Sequence, residues 1–104
     1  FNVMRKHIQK LHDDGAIITF SWHLDNPKSL GSSWDTTATV KEILKAGEYR
    51  KRYEGWVTNL SNFFKSLKSK KGNFIPVIFR PFHEMNGSWF WWGKGNCSPE
   101  EKIK

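Results

Sequence analysis

Two short runs of β-prone apolar residues, "AIITFSW" at 16–22 and "FIPVIFR" at 74–80, limit the architecture more than any other feature of this chain. The first reads as a buried strand and the second as its partner strand. Between them the pattern is helical. Val40, Ile43 and Leu44 mark a short amphipathic helix in "TVKEILKAG", and Tyr49, Tyr53, Trp56, Leu60, Phe63, Phe64 and Leu67 recur every three or four residues along a longer one. Two strands joined through helices imply a parallel pair with a right-handed crossover. Pro76 sits inside the second run, where a missing N–H donor favours a strand's start or edge.

A parallel pair cannot stand alone, because a parallel sheet needs more strands and cover on both faces. Residues 1–104 are therefore expected to form part of a larger α/β domain whose other strands lie outside them. Opening on Phe1 and stopping at Lys104, just inside a helix start, fit that expectation. The outer elements are equally legible. Met4, Ile8 and Leu11 give an opening helix that Gly15 can end as a left-handed cap. Ser98, Pro99 and Glu101 have the cap, first-turn proline and capping-box spacing of a helix start.

The formal charge of +7 raises the question of an anionic partner. Most of the excess lies in "GEYRKRYEG" and "KSLKSKKGN", on or just after the long helix, where it reads as a solvated outer face rather than a nucleic-acid surface. Cys97 is the only cysteine, so no disulfide forms within the chain. No apolar run approaches the roughly 20 residues of a membrane span. Six tryptophans and eight phenylalanines exceed what so small a core can hide, so aromatics are expected at the surface.

The chemistry-bearing residues follow the two strands directly. "HLDNPKSLGSSWDTTA", residues 23–38, has turn chemistry throughout and reads as a long functional loop. "RPFHEMNGSWFWWG", residues 80–93, follows the second strand. Parallel strands end at the same edge, which gathers His23, Asp25, Arg80, His83 and Glu84 on one rim, where α/β barrels and open α/β sheets keep their sites. Glu84 is either a structural carboxylate paired with Arg80 or His83, or a proton donor. Neighbouring indoles would strip its hydration and favour the neutral acid. Trp89, Trp91 and Trp92 lie among Asn86, Gly87, Ser88, Gly93, Lys94 and Gly95, which suits an exposed loop whose indole faces meet sugar rings. A zincin site is disfavoured, since the residue four after His83 is Gly87 and the stretch follows a strand. Single-strand nucleic-acid binding is disfavoured as well, because residues 80–93 hold one basic side chain, Arg80.

"WHLDNP" and "RPFHEMNGSWFWWG", at this separation, resemble the β-mannanases of glycoside hydrolase family 26, and the likeness runs over essentially the whole chain. The resemblance implies a (β/α)8 barrel, with this chain contributing about the third and fourth β/α units. It implies retaining, endo-acting hydrolysis of β-1,4-mannosidic bonds in mannan, glucomannan or galactomannan, without a cofactor. Glu84 corresponds to the general acid/base and His83 to a histidine that helps orient the nucleophile. Trp89 matches an aromatic around the cleaved bond, and His23 a histidine contacting the sugar on the glycone side. Trp34 corresponds to a loop tryptophan of the distal glycone subsites, and Arg80 to a support behind the site. The family's nucleophile lies beyond Lys104, and retaining hydrolysis needs two carboxyl groups, so this chain alone is expected to be inactive. Secretion is expected for an enzyme that attacks a polymer. A family 26 hydrolase of mixed-linkage glucan or xylan, and a catalytically dead carbohydrate-binding relative, stay open as alternatives.

Overall fold

The computed structural model describes residues 1–104. Helix α1 (Asn2–Asp13) leads into strand β1 (Ile18–Trp22). A loop without helix or strand follows, then α2 (Val40–Ile43), α3 (Glu48–Lys65), strand β2 (Val77–Pro81) and α4 (Pro99–Lys102). The strands pair in parallel, in register from Ile18 opposite Val77 to Trp22 opposite Pro81.

The local signals act as their chemistry predicts. Gly15 takes φ +95° after α1, and two bonds, Gly15 N–H to His12 O and Ala16 N–H to Leu11 O, both 2.9 Å, close that helix in a Schellman arrangement. Ser98 and Glu101 form both arms of a capping box at α4, with Pro99 in its first turn. The second ladder starts three residues later than the apolar run suggests. Pro76 has no N–H to give, so pairing begins at Val77, while Phe74 bridges antiparallel to Lys68.

Two apolar clusters hold the chain together. Ile8, Ile18, Leu60, Phe63, Leu67 and Ile75 join α1 and α3 to the base of the strands. Burying each such side chain stabilises by about 1.5–3 kcal/mol, which lets short helices persist that would be marginal alone. Leu24, Val40, Phe90, Trp91 and Trp92 form the second cluster at the C-terminal ends of the strands. The expectation of a buried first strand is corrected: Ile18 is buried, but Phe20 and Trp22 are half-buried and Thr19 and Ser21 are exposed, and in β2 Ile78 and Phe79 are exposed as well. The sheet has two strands, so each has one outer edge that pairs with no strand of this chain. No helix is long and apolar enough to cross a membrane.

Candidate active site

The parallel register brings the residues after Trp22 and Pro81 to a common rim. There His23 and His83, 60 positions apart in sequence, meet with their Nε2 atoms 3.2 Å apart and their ring centroids 4.5 Å apart. Phe90 makes edge-type contacts with both rings, 5.6 Å from His23 and 5.3 Å from His83, and stacks on Trp92 at 4.5 Å.

Glu84 is exposed, and its backbone sits at φ +54°, with Phe82 at +53°. Left-handed backbone is unfavourable for side chains with a Cβ, at about 1–3 kcal/mol each, and such strain gathers where a side chain must be aimed. Here it turns the chain sharply as it leaves β2. Trp89 Nε1 donates to Glu84 Oε2 at 3.0 Å. The indole therefore meets the carboxylate with its N–H edge, and neither Arg80 nor His83 forms an ion pair with it.

The expectation that Trp91 and Trp92 are exposed platforms is overturned: they are 0% and 2% exposed, whereas Trp89 and Trp34 are 42% and 62% exposed. The reason lies in the turns. A Cβ on Gly93 would overlap the carbonyl oxygen of Gly87, and one on Gly87 would overlap the Trp89 ring, so two glycines let the segment close on itself. Lys94 N–H then donates to Gly87 O at 2.8 Å, and Asn96 Nδ2 donates to Ser88 O and Phe90 O. Both enclosed indoles find acceptors: Trp91 Nε1 donates to Leu24 O at 3.0 Å and Trp92 Nε1 to His83 O at 2.8 Å. With those donors satisfied, burying roughly 200 Å² of indole yields up to about 5 kcal/mol, which decides for burial.

The remaining expected residues separate. Trp34 joins the cluster through Phe90, at 5.1 Å between rings. Arg80 does not: it faces Ser21 across the ladder, Nη1 3.3 Å from Ser21 Oγ. Asp25 is exposed. No group of three His, Cys, Asp or Glu side chains is arranged to hold a metal ion. A cavity of about 420 Å³ lies among Val40, Leu44, Tyr53, Trp91 and Glu101, and neither His23 nor Glu84 lines it.

Sequence reasoning did not single out Phe90 or Asn26. Asn26 is fully buried, and its Oδ1 accepts from Lys28 N–H, Ser29 N–H and Thr39 Oγ1–H at 2.9–3.1 Å. Its Nδ2 donates to Asp35 O and Thr37 O, both at 3.0 Å. One amide thus organises the loop that carries Trp34. The "DNP" turn signal marks the position but not its partners. Asp35 accepts from Thr37 Oγ1–H, Ser29 Oγ–H and Thr37 N–H, and these bonds hold its carboxyl below the usual carboxylate range.

The sequence model of glycosyl hydrolase family 26 matches residues 3–104. A mannan endo-1,4-β-mannosidase of Bifidobacterium adolescentis is 38% identical over 98 residues, covering 94% of this chain and 10% of that protein. One from Bacillus subtilis is 36% identical over 84 residues, covering 77% of this chain and 22% of its own length. Among solved structures, a family 26 β-mannanase from Bacteroides ovatus superposes with a TM-score of 0.91 at 42% identity, over 96% of this chain and 30% of that one. A modular endo-β-1,4-mannanase from Cellulomonas fimi gives 0.89 at 32% identity, over 95% of this chain and 22% of its own. The chain thus spans a minor part of each relative, and its parallel pair is consistent with part of the barrel of these enzymes.

Proposed function

The chain belongs to glycosyl hydrolase family 26, and on that footing we propose that the enzyme carrying it is an endo-acting, retaining β-mannanase with Glu84 as general acid/base. The observation that carries the reading is Glu84 itself. It is an exposed carboxylate aimed by a strained backbone at a strand end, fixed by Trp89 Nε1 and adjacent to the paired histidines.

Glu84 protonates the departing glycosidic oxygen while a second carboxylate, supplied beyond this chain, attacks the anomeric carbon. Glu84 then takes a proton from the water that releases the sugar. Trp89 holds the acid in place with its N–H and leaves an aromatic surface beside the cleaved bond. His83 orients the nucleophile, His23 contacts the glycone sugar, and Trp34 provides an exposed ring farther along the loop. Arg80 supports the site from the ladder, through Ser21. The chain supplies about the third and fourth β/α units, is inactive alone because it holds one carboxylate of the required pair, and comes from a secreted enzyme.

The test is reducing-sugar release from galactomannan, mixed-linkage glucan and xylan by the intact enzyme, its Glu84→Ala variant and this chain. Mannan hydrolysis by the intact enzyme alone is expected, with the variant slowed about 10²–10⁴-fold on polymer. Azide should restore its turnover of an activated aryl mannoside. Unchanged activity in Glu84→Ala would remove the acid/base assignment. Activity on glucan or xylan alone would keep Glu84 and replace the substrate. Binding of mannan without hydrolysis would indicate a dead relative.

A further inference from the structure

Phe90 has none of the roles assigned above, yet it touches four of the residues that carry them. Its ring centroid lies 5.1 Å from that of Trp34, 5.6 Å from His23, 5.3 Å from His83 and 6.5 Å from Trp89. It is 2% exposed, and strands packed on from outside the chain can only add to that burial. Buried rings fix its own orientation: it stacks on Trp92 at 4.5 Å with 19° between the planes, and Trp92 meets Trp91 edge-on at 5.3 Å. Both indoles are pinned in turn by their N–H bonds to His83 O and Leu24 O. The backbone beside Phe90 is tied to the same loop that its ring touches, since Trp91 N–H donates to Ser33 O at 3.2 Å, one residue before Trp34. An aromatic contact sets the plane of a neighbouring ring and consumes no imidazole nitrogen, so it leaves His23 and His83 their proposed contacts with sugar and nucleophile.

We propose that Phe90 is a positioning residue that ties Trp34 to the catalytic rim, so that a sugar resting on Trp34 is held in register with the bond beside Glu84. The flat ring matters more than its bulk. A leucine fills much of the space but presents neither a face nor edges to the five neighbouring rings. Without the ring, Trp34 keeps the hydrogen bonds that organise its loop but loses the surface that sets its plane. Distal sugars then settle over a wider spread of positions, and the gain from a longer substrate falls. This consequence rests on the mannanase reading, with Trp34 in a distal glycone subsite. The tie between the two rings does not.

The experiment uses the intact enzyme and measures kcat/KM on linear β-1,4-mannotetraose and mannohexaose. The ratio of the second to the first reads what the distal sites add, and effects that pass through His23 or His83 act on both substrates and cancel. Phe90→Leu is expected to lower the ratio about three- to ten-fold, the size of one aromatic pair. Trp34→Ala should lower it at least as far, and the double variant should match Trp34→Ala within about two-fold. An unchanged ratio in either single variant, or losses that multiply in the double variant, overturns the proposal. Val40→Ala removes buried bulk from the same cluster and separates positioning from general loosening. It should lower Tm and hold the ratio within about two-fold, and a fall equal to that of Phe90→Leu overturns the proposal as well. A second arm needs no substrate. In enzyme labelled with ¹⁵N-tryptophan, the Trp34 indole N–H signal, assigned with Trp34→Ala, should lose more than about 0.2 in order parameter in Phe90→Leu and hold its value in Val40→Ala. A signal as ordered as in the parent overturns the tie. Failure to cleave either oligosaccharide would remove the mannanase reading, and the indole signal would still decide the tie.

Discussion

Replacing Asn26 with alanine removes five hydrogen bonds from one buried side chain. At about 0.5–1.5 kcal/mol each, their simple sum would run from about 2.5 to 7.5 kcal/mol. The upper end is out of reach. Thr39 has one hydroxyl hydrogen, shared between Asn26 Oδ1 and Thr37 O, and can give it wholly to Thr37 O at 2.6 Å, while the amides of Lys28 and Ser29 lie close enough to the surface to regain water. A loss of about 2–4 kcal/mol in the order of the loop is therefore expected. Hydrogen exchange reads it directly: the Lys28 and Ser29 amides should exchange about 30- to 1,000-fold faster in the intact enzyme. Asn26→Asp is a demanding control, because it keeps the three acceptor bonds but turns an oxygen toward the carbonyls of Asp35 and Thr37. It should lose as much as alanine does. Trp34 rides on this loop, so KM for long oligosaccharides should rise in both variants with kcat little changed. Exchange within three-fold of the parent would refute the reasoning. It would mean that the outer ties, Trp91 N–H to Ser33 O and Arg52 to the carbonyl of Pro27, hold the loop without Asn26.

Two further outcomes test other parts of the rim. Gly93→Ala should destabilise by more than about 2 kcal/mol and lower Tm of the intact enzyme by more than about 4 °C, because the new methyl meets the Gly87 backbone rather than a movable side chain. An unchanged Tm would show that the turn can open without cost. Asp35 has a folded-state pKa below its ordinary value of 3.8, so its contribution to loop order is present above that value and is lost as pH falls through the depressed one. Proteolysis of the loop in wild type and in Asp35→Asn should therefore differ at pH 6 and converge only as pH falls well below 3.8, and a gap independent of pH would contradict the assignment.

Much of this protein is decided by contacts between near neighbours, and those features are legible in a linear reading. The long helix follows from aromatic spacing over Glu48–Lys65, and the opening helix α1 stops just before Gly15 because a left-handed residue closes two backbone bonds. The capping box at Ser98 involves residues three apart. The parallel pair follows from two short apolar runs with helices between them, and it carries His23, His83 and Glu84 to one edge with no further information. Only the tertiary structure decided which aromatics face water. Trp89, Trp91 and Trp92 are chemically alike and nearly adjacent, but each indole is both apolar and a donor, so identity does not settle its side. The acceptors on Leu24 and His83 do, one of them 67 positions away, once Gly87 and Gly93 let the segment fold back. The same holds for the imidazole pair at 60 positions and for the partners of Asn26. Spacing and capping signals span a few residues, where the helix and turn geometries relate sequence to space. A contact across the fold depends on two surfaces arriving together, and neither segment records the other's approach.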